Sequence, residues 1–141
     1  ALSHPGGNLG RRLLLHVSDI MLTGDNIPRV NPATSLYEAT FEMSTKHLGM
    51  TAIIDPTTQK LLGVFTDGDL RRAIDNQCDM KKTRIADVMT PHAVTAKADM
   101  LAAESANLLE KHQITALLVT DDNEQVVGAF NIHHLLRAGV L

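Results

Sequence analysis

The strongest constraint on this chain is that its second half repeats its first. Val17-Ser18-Asp19-Ile20-Met21 recurs as Ile85-Ala86-Asp87-Val88-Met89, 68 positions later. Val30 then matches Val94, Ala39 matches Ala103, and Met50-Thr51-Ala52-Ile53-Ile54 matches Ile114-Thr115-Ala116-Leu117-Leu118, all 64 positions apart. Gly63-Val64-Phe65 matches Gly128-Ala129-Phe130, and Leu70 matches Leu135, at 65. The changes of offset fall in turns, where insertions cost little. A half-sized unit repeated once cannot cover its own apolar sheet face. Two copies therefore pack together with approximate two-fold symmetry and leave equivalent clefts between them.

Each copy reads as strand, helix, strand, strand, helix. In the first, Pro32-Ala33-Thr34-Ser35 places a hydroxyl to cap a helix with apolar positions Leu36, Ala39, Thr40, Met43 and Leu48, and Gly49 ends it. The apolar runs 50–54 and 61–65 flank the turn residues Thr57-Thr58-Gln59-Lys60, the pattern of a hairpin. A helix from Asp67 to about Asn76 closes the unit. Upstream, residues 11–21 predict one or two short helices, 23–28 a turn, and 29–31 a brief strand.

Composition narrows the function classes. A chain of 141 residues that is 44% hydrophobic can bury a sizeable core. A net charge of -3 without any Lys/Arg block gives no field for a nucleic acid polymer. The single Cys78 permits neither a disulfide nor a thiolate metal site within one chain, which points to a reducing, cytoplasmic home. No apolar run approaches the roughly 20 residues of a membrane span, so no membrane partner is expected. The opening Ser3-His4-Pro5-Gly6-Gly7-Asn8-Leu9-Gly10 reads as a linker leaving another domain.

The chemistry concentrates at Gly63-Val64-Phe65-Thr66-Asp67-Gly68-Asp69-Leu70-Arg71-Arg72-Ala73, where a strand runs into a helix. Thr66 and Asp69 lie on one side of the first helical turn. A hydroxyl beside a carboxylate suits the two hydroxyls of a ribose, although the same pair serves equally as N-cap and dipole-compensating acid. Arg71 or Arg72, a turn later, can reach a phosphate. With Tyr37, Phe41, Phe65 and Phe130 as the sole aromatics, a base would pack on aliphatic residues such as Ile54 or Ile27. His92 precedes the second copy's first strand and can face a cleft. The adjacent His133 and His134 point about a third of a turn apart and lack an i+4 partner, so no metal site is read there. No nucleophile with a matching base is legible, and Gly68 lacks the lysine of a phosphate loop, so no catalytic residue is assigned.

The repeat together with Gly63-Val64-Phe65-Thr66-Asp67-Gly68-Asp69 resembles a tandem pair of CBS domains, a Bateman module. The resemblance implies an α+β fold of two β-α-β-β-α repeats packed as a pseudo-two-fold pair, with residues 1–16 as linker, 17–78 as the first domain and 79–141 as the second. It also implies that Gly63, Thr66 and Asp69 hold the ribose or phosphate of an adenine nucleotide. The second copy departs, with Asn131 for the threonine and His134 for the aspartate, so Asn131 is a weaker ligand candidate. The linker His4-Pro5-Gly6-Gly7-Asn8-Leu9-Gly10-Arg11-Arg12-Leu13-Leu14 is similar to the junction in bacterial D-arabinose 5-phosphate isomerases. Those enzymes interconvert ribulose 5-phosphate and arabinose 5-phosphate on the way to the Kdo sugar of lipopolysaccharide. This likeness implies an N-terminal isomerase domain as partner and a homodimer of CBS pairs within a larger homo-oligomer. Bound AMP, ADP, ATP or CMP-Kdo would then act as effector, with no cofactor.

Overall fold

In a computed structural model, the structure describes residues 8–141. The first seven residues of the expected linker, His4 included, lie outside the described residues. Its remainder is partly helical: α1 spans Asn8–Leu13 and α2 Val17–Ile20. The first repeat continues with β1 (Arg29–Val30), α3 (Leu36–Lys46), β2 (Met50–Ile54), β3 (Leu61–Thr66) and α4 (Asp67–Asp75). The second follows with β4 (Thr90–Pro91), β5 (Thr95–Ala96), α5 (Ala102–His112), β6 (Ala116–Thr120), β7 (Val126–Asn131) and α6 (Ile132–Arg137). One sheet has the order β1-β2-β3-β4 and the other β5-β6-β7.

Local chemistry accounts for the boundaries. Ser35 Oγ accepts the Glu38 N–H at 3.1 Å and starts α3. The helix ends three residues before Gly49, because His47 takes the left-handed conformation (φ 57°) and its N–H reaches the Met43 carbonyl. Gln113 ends α5 the same way (φ 53°). In the hairpin turn Asp55 Oδ1 accepts the N–H groups of Thr57 and Thr58, and Asp121 Oδ1 repeats this with Asn123 and Gln125.

Strand alternation divides the core into three. Met50, Ala52 and Ile54 of β2 and Val64 of β3 face Ala116, Leu118 and Ala129 of the other sheet, and this seam joins the repeats. The opposite faces carry Ile53 and Phe65 against Leu36, Ala39 and Met43 of α3, and Leu117, Val119 and Phe130 against Ala102, Leu109 and Leu135.

The register corrects the 64-residue matches. Arg29 pairs with Ala52 and Thr95 with Leu118, so the true offset there is 66: Val30 corresponds to Ala96, Ala39 to Ser105 and Met50 to Ala116. Along a strand a slip of two residues keeps every side chain on the same face, so the apolar pattern of the strands cannot detect it.

The segments leading into the repeats are exchanged. Val17, ahead of the first repeat, packs in the second repeat's helical core, with its N–H on the Met100 carbonyl (2.8 Å). Ile85, ahead of the second, packs in the first, with its N–H on the Thr34 carbonyl (2.8 Å). The crossing chains run beside the paired glycines. A Cβ at Gly63 would lie 2.7 Å from the Thr90 carbonyl oxygen and 2.8 Å from Met89 Sδ, and one at Gly128 would meet Met21 and the Leu22 carbonyl. Gly63→Ala is therefore expected to cost about 1–3 kcal/mol, because the ladder holds Thr90 in place. Gly68→Ala, with no neighbour nearer than 3.6 Å, should be close to neutral. Urea denaturation of both variants checks this, and equal stabilities would contradict it.

Candidate functional site

Helix α4 follows β3 without a break, so Thr66 is both the last strand residue and the helix N-cap. Thr66 Oγ1 accepts the Asp69 N–H at 3.2 Å and donates to Asp69 Oδ2 at 3.2 Å. Asp69 Oδ2 also accepts the Thr66 N–H at 3.0 Å, which completes a reciprocal capping box. Asp69 is only 5% exposed. Its other oxygen, Oδ1, accepts from the Thr90 hydroxyl at 2.9 Å and from the Arg72 guanidinium. Thr90 belongs to β4, so the crossing segment is tied to the carboxylate across the sheet.

A cleft of about 460 Å³ opens at this point. Met50, Val64, Thr66, Asp69 and Arg72 of the first repeat line it, together with Thr90, His92 and residues 113–116. Its walls thus come from both halves of the chain. Of the residues singled out in the sequence, Thr66, Asp69 and His92 meet here. Gly63 stands behind them as the point where β4 crosses. Ile54 falls elsewhere: Thr66 pairs with Met50, whereas Ile54 pairs with Leu61 at the far end of β2 and is buried in the seam. Ile27 is buried in the same seam. Arg71 is not among the lining residues and Arg72 is, because a residue three after Asp69 shares its helix face. Sequence reading missed Thr90. The i, i+3 spacing could have favoured Arg72, but only the pairing of β3 with β4 brings Thr90 to Asp69.

The corresponding junction of the second repeat keeps the device and changes the groups. Asn131 Oδ1 accepts the N–H groups of His133 (3.0 Å) and His134 (3.3 Å), and His134 Nδ1 accepts the Asn131 N–H at 3.0 Å. Asn131 also donates from Nδ2 to the Leu48 carbonyl at 3.5 Å. It lines a different cleft, of about 530 Å³, with His47, Asp67, Thr115 and His133. Asn131 thus lines a cleft other than that of Thr66 and Asp69, with Gly49, Asp67 and Thr115 bordering both. Among the described residues no three of His, Cys, Asp or Glu group as metal ligands, and no helix is long and apolar enough to cross a membrane.

Two βαββα units joined along their sheets, each beginning its last helix with a capping box, define the class: the chain belongs to the CBS domain family, whose model matches residues 17–76 and 85–141. Over its whole length it is 52% identical to the arabinose 5-phosphate isomerase KdsD of Pseudomonas aeruginosa. It spans 43% of that enzyme, less than half the length of the curated relative it matches. Among solved structures it is similar to the CBS domain pair of protein MJ0100 in complex with 5′-methylthioadenosine and S-adenosyl-L-methionine, with a TM-score of 0.78 and 25% identity over 88% of this chain and 94% of that one. CBSX2 in complex with AMP shares the fold, with a TM-score of 0.75 and 24% identity over 89% of this chain and 96% of that one.

The His134 box carries a pH dependence. Burial, followed by the positive charge of Arg137, holds the His134 pKa below its ordinary value of 6.5. A proton on Nδ1 would also occupy the lone pair that accepts the Asn131 N–H. Because the folded pKa lies below the unfolded one, the unfolded chain binds the proton more readily. Stability is therefore whole above about pH 6.5 and declines as the pH falls toward the folded pKa. Urea midpoints between pH 8 and pH 5 should fall less steeply in His134→Asn than in the wild type, and parallel profiles would contradict this.

Proposed function

We propose that the chain is the non-catalytic regulatory CBS pair of a cytoplasmic arabinose 5-phosphate isomerase and holds an adenine nucleotide or a nucleotide-sugar in the cleft at Thr66 and Asp69. The observation that carries this reading is the hydroxyl–carboxylate pair at the start of α4, opening into a cleft whose walls come from both repeats. A volume near 460 Å³ lies within the range of small-molecule sites. The 52% identity to an arabinose 5-phosphate isomerase supports the attachment to an isomerase domain that interconverts ribulose 5-phosphate and arabinose 5-phosphate. A neighbour solved with AMP supports the nucleotide, and one solved with 5′-methylthioadenosine and S-adenosyl-L-methionine supports the adenosine part of it.

Thr66, Asp69 and Arg72 of the first repeat and Thr90, His92 and residues 113–116 of the second part of the chain border the cleft, so binding there favours whichever arrangement of the two repeats closes best around the ligand. It biases the isomerase only by the difference in affinity between two arrangements of the enzyme. Calorimetry of the chain with AMP, ADP, ATP and CMP-Kdo should give saturable heat for at least one of them. Thr66→Ala should weaken that ligand roughly tenfold, the worth of one hydrogen bond to a charged group. Silence from all four sinks the reading.

A second reading makes the pair a ligand-independent assembly element. Tyr37 and Phe41, 54% and 66% exposed, stand one turn apart on α3 and present an aromatic surface suited to a second copy of the chain. Under this reading sedimentation finds a homodimer, Phe41→Ser converts it to monomer, and Thr66→Ala does not. A monomeric wild type would rule it out.

A further inference from the structure

The hydrogen bonds at Asp69 leave the proposed ligand a competitor. A carboxylate has about four acceptor positions on its two oxygens. Oδ2 takes the Thr66 N–H and hydroxyl, while Oδ1 takes the Thr90 hydroxyl and the Arg72 guanidinium. A sugar diol must therefore displace one of these donors. The Thr66 contacts close the helix cap, and Thr90 is held by its place in the ladder with β3. Arg72 is different: its side chain is 68% exposed and is held only by the guanidinium at the end of a flexible stem, so of the four donors it is the one a ligand can displace without opening the cap or the ladder.

We propose that Arg72 is the selectivity element of this cleft: it covers the carboxylate that a diol needs and yields it to a ligand bearing a 5′-phosphate for the released guanidinium. The proposal rests on the nucleotide-binding reading above, and narrows the ligand to nucleoside 5′-phosphates and their sugar esters over uncharged nucleosides. An uncharged nucleoside exchanges a charge-assisted bond at a buried carboxylate for neutral ones and gains nothing further from the arginine. A phosphate recovers that bond, because the planar guanidinium fork matches phosphate oxygens as well as it matches a carboxylate. Charge points the same way. Among the described residues lining the cleft, Arg72 is the one full-time cation, set against the carboxylates of Asp67 and Asp69. Without it a phosphate would meet a negative rim.

Calorimetry of the chain with adenosine, AMP, cytidine and CMP tests this. The wild type should prefer a monophosphate to its nucleoside by about tenfold or more, as a charge-assisted bond implies. Arg72→Ala should weaken the monophosphate and tighten the nucleoside, so that the preference falls toward unity. Arg72→Gln, which keeps a neutral donor for Asp69, should weaken the monophosphate and leave the nucleoside near its wild-type affinity. An unaltered preference in both variants, or nucleoside and monophosphate weakened equally, overturns the role of Arg72 while the nucleotide reading stands. Silence from the wild type and from Arg72→Ala toward all four ligands overturns the role of Arg72, and the nucleotide reading falls with it only if ADP, ATP and CMP-Kdo are silent too.

Discussion

The seam between the two sheets is the interaction on which the rest depends. Ala52, Ile54 and Val64 on one side and Ala116, Leu118 and Ala129 on the other are buried against each other, and neither sheet has another cover for that face. Burial of this kind is worth about 25 cal/mol per Å² and has no direction of its own, so something else must fix how the halves sit. The exchanged leading segments do this. Val17 packs into the second helical core and Ile85 into the first, each held by backbone hydrogen bonds on both sides. Either repeat alone would therefore lack a part of its own core.

The same exchange builds the cleft. The chain that crosses beside Gly63 brings Thr90 to the Asp69 carboxylate, and the turn after it brings His92 to the rim. A helix cap, which any strand-to-helix junction needs, becomes one wall of the proposed ligand site because the partner repeat closes over it. In the second repeat the cap survives with Asn131 and His134, but the acceptor carboxylate is gone and the group that remains responds to pH. The two halves are thus alike in backbone and unlike in chemistry.

Most of the architecture was legible because it rests on local signals. Ser35 caps α3, Asp55 closes the hairpin turn, and the apolar run through residues 50–54 marks a strand buried on both faces. The repeat itself announced the pairing. Two features were misread for physical reasons. The helix before β2 ends at His47, since a left-handed residue need not be glycine when the following chain holds it in place. The offset of 64 in place of 66 arose because a two-residue slip conserves the in-and-out pattern on which such matching relies. At the site, Thr66 and Asp69 were visible as a spacing of three on a helix, while Ile54 was drawn in by its apolar character although it lies at the other end of β2.

By itself the sequence determined the repeat, the order of elements, the faces that must be buried and the capping pair at each final helix, since all of these follow from periodicity and short-range hydrogen bonding. Only the tertiary structure decided which repeat each leading segment joins, that Thr90 engages Asp69, and that Ile54 belongs to the seam. Those outcomes depend on contacts between residues far apart in the chain. Such contacts are set by how two apolar surfaces fit together, and no local pattern encodes that fit.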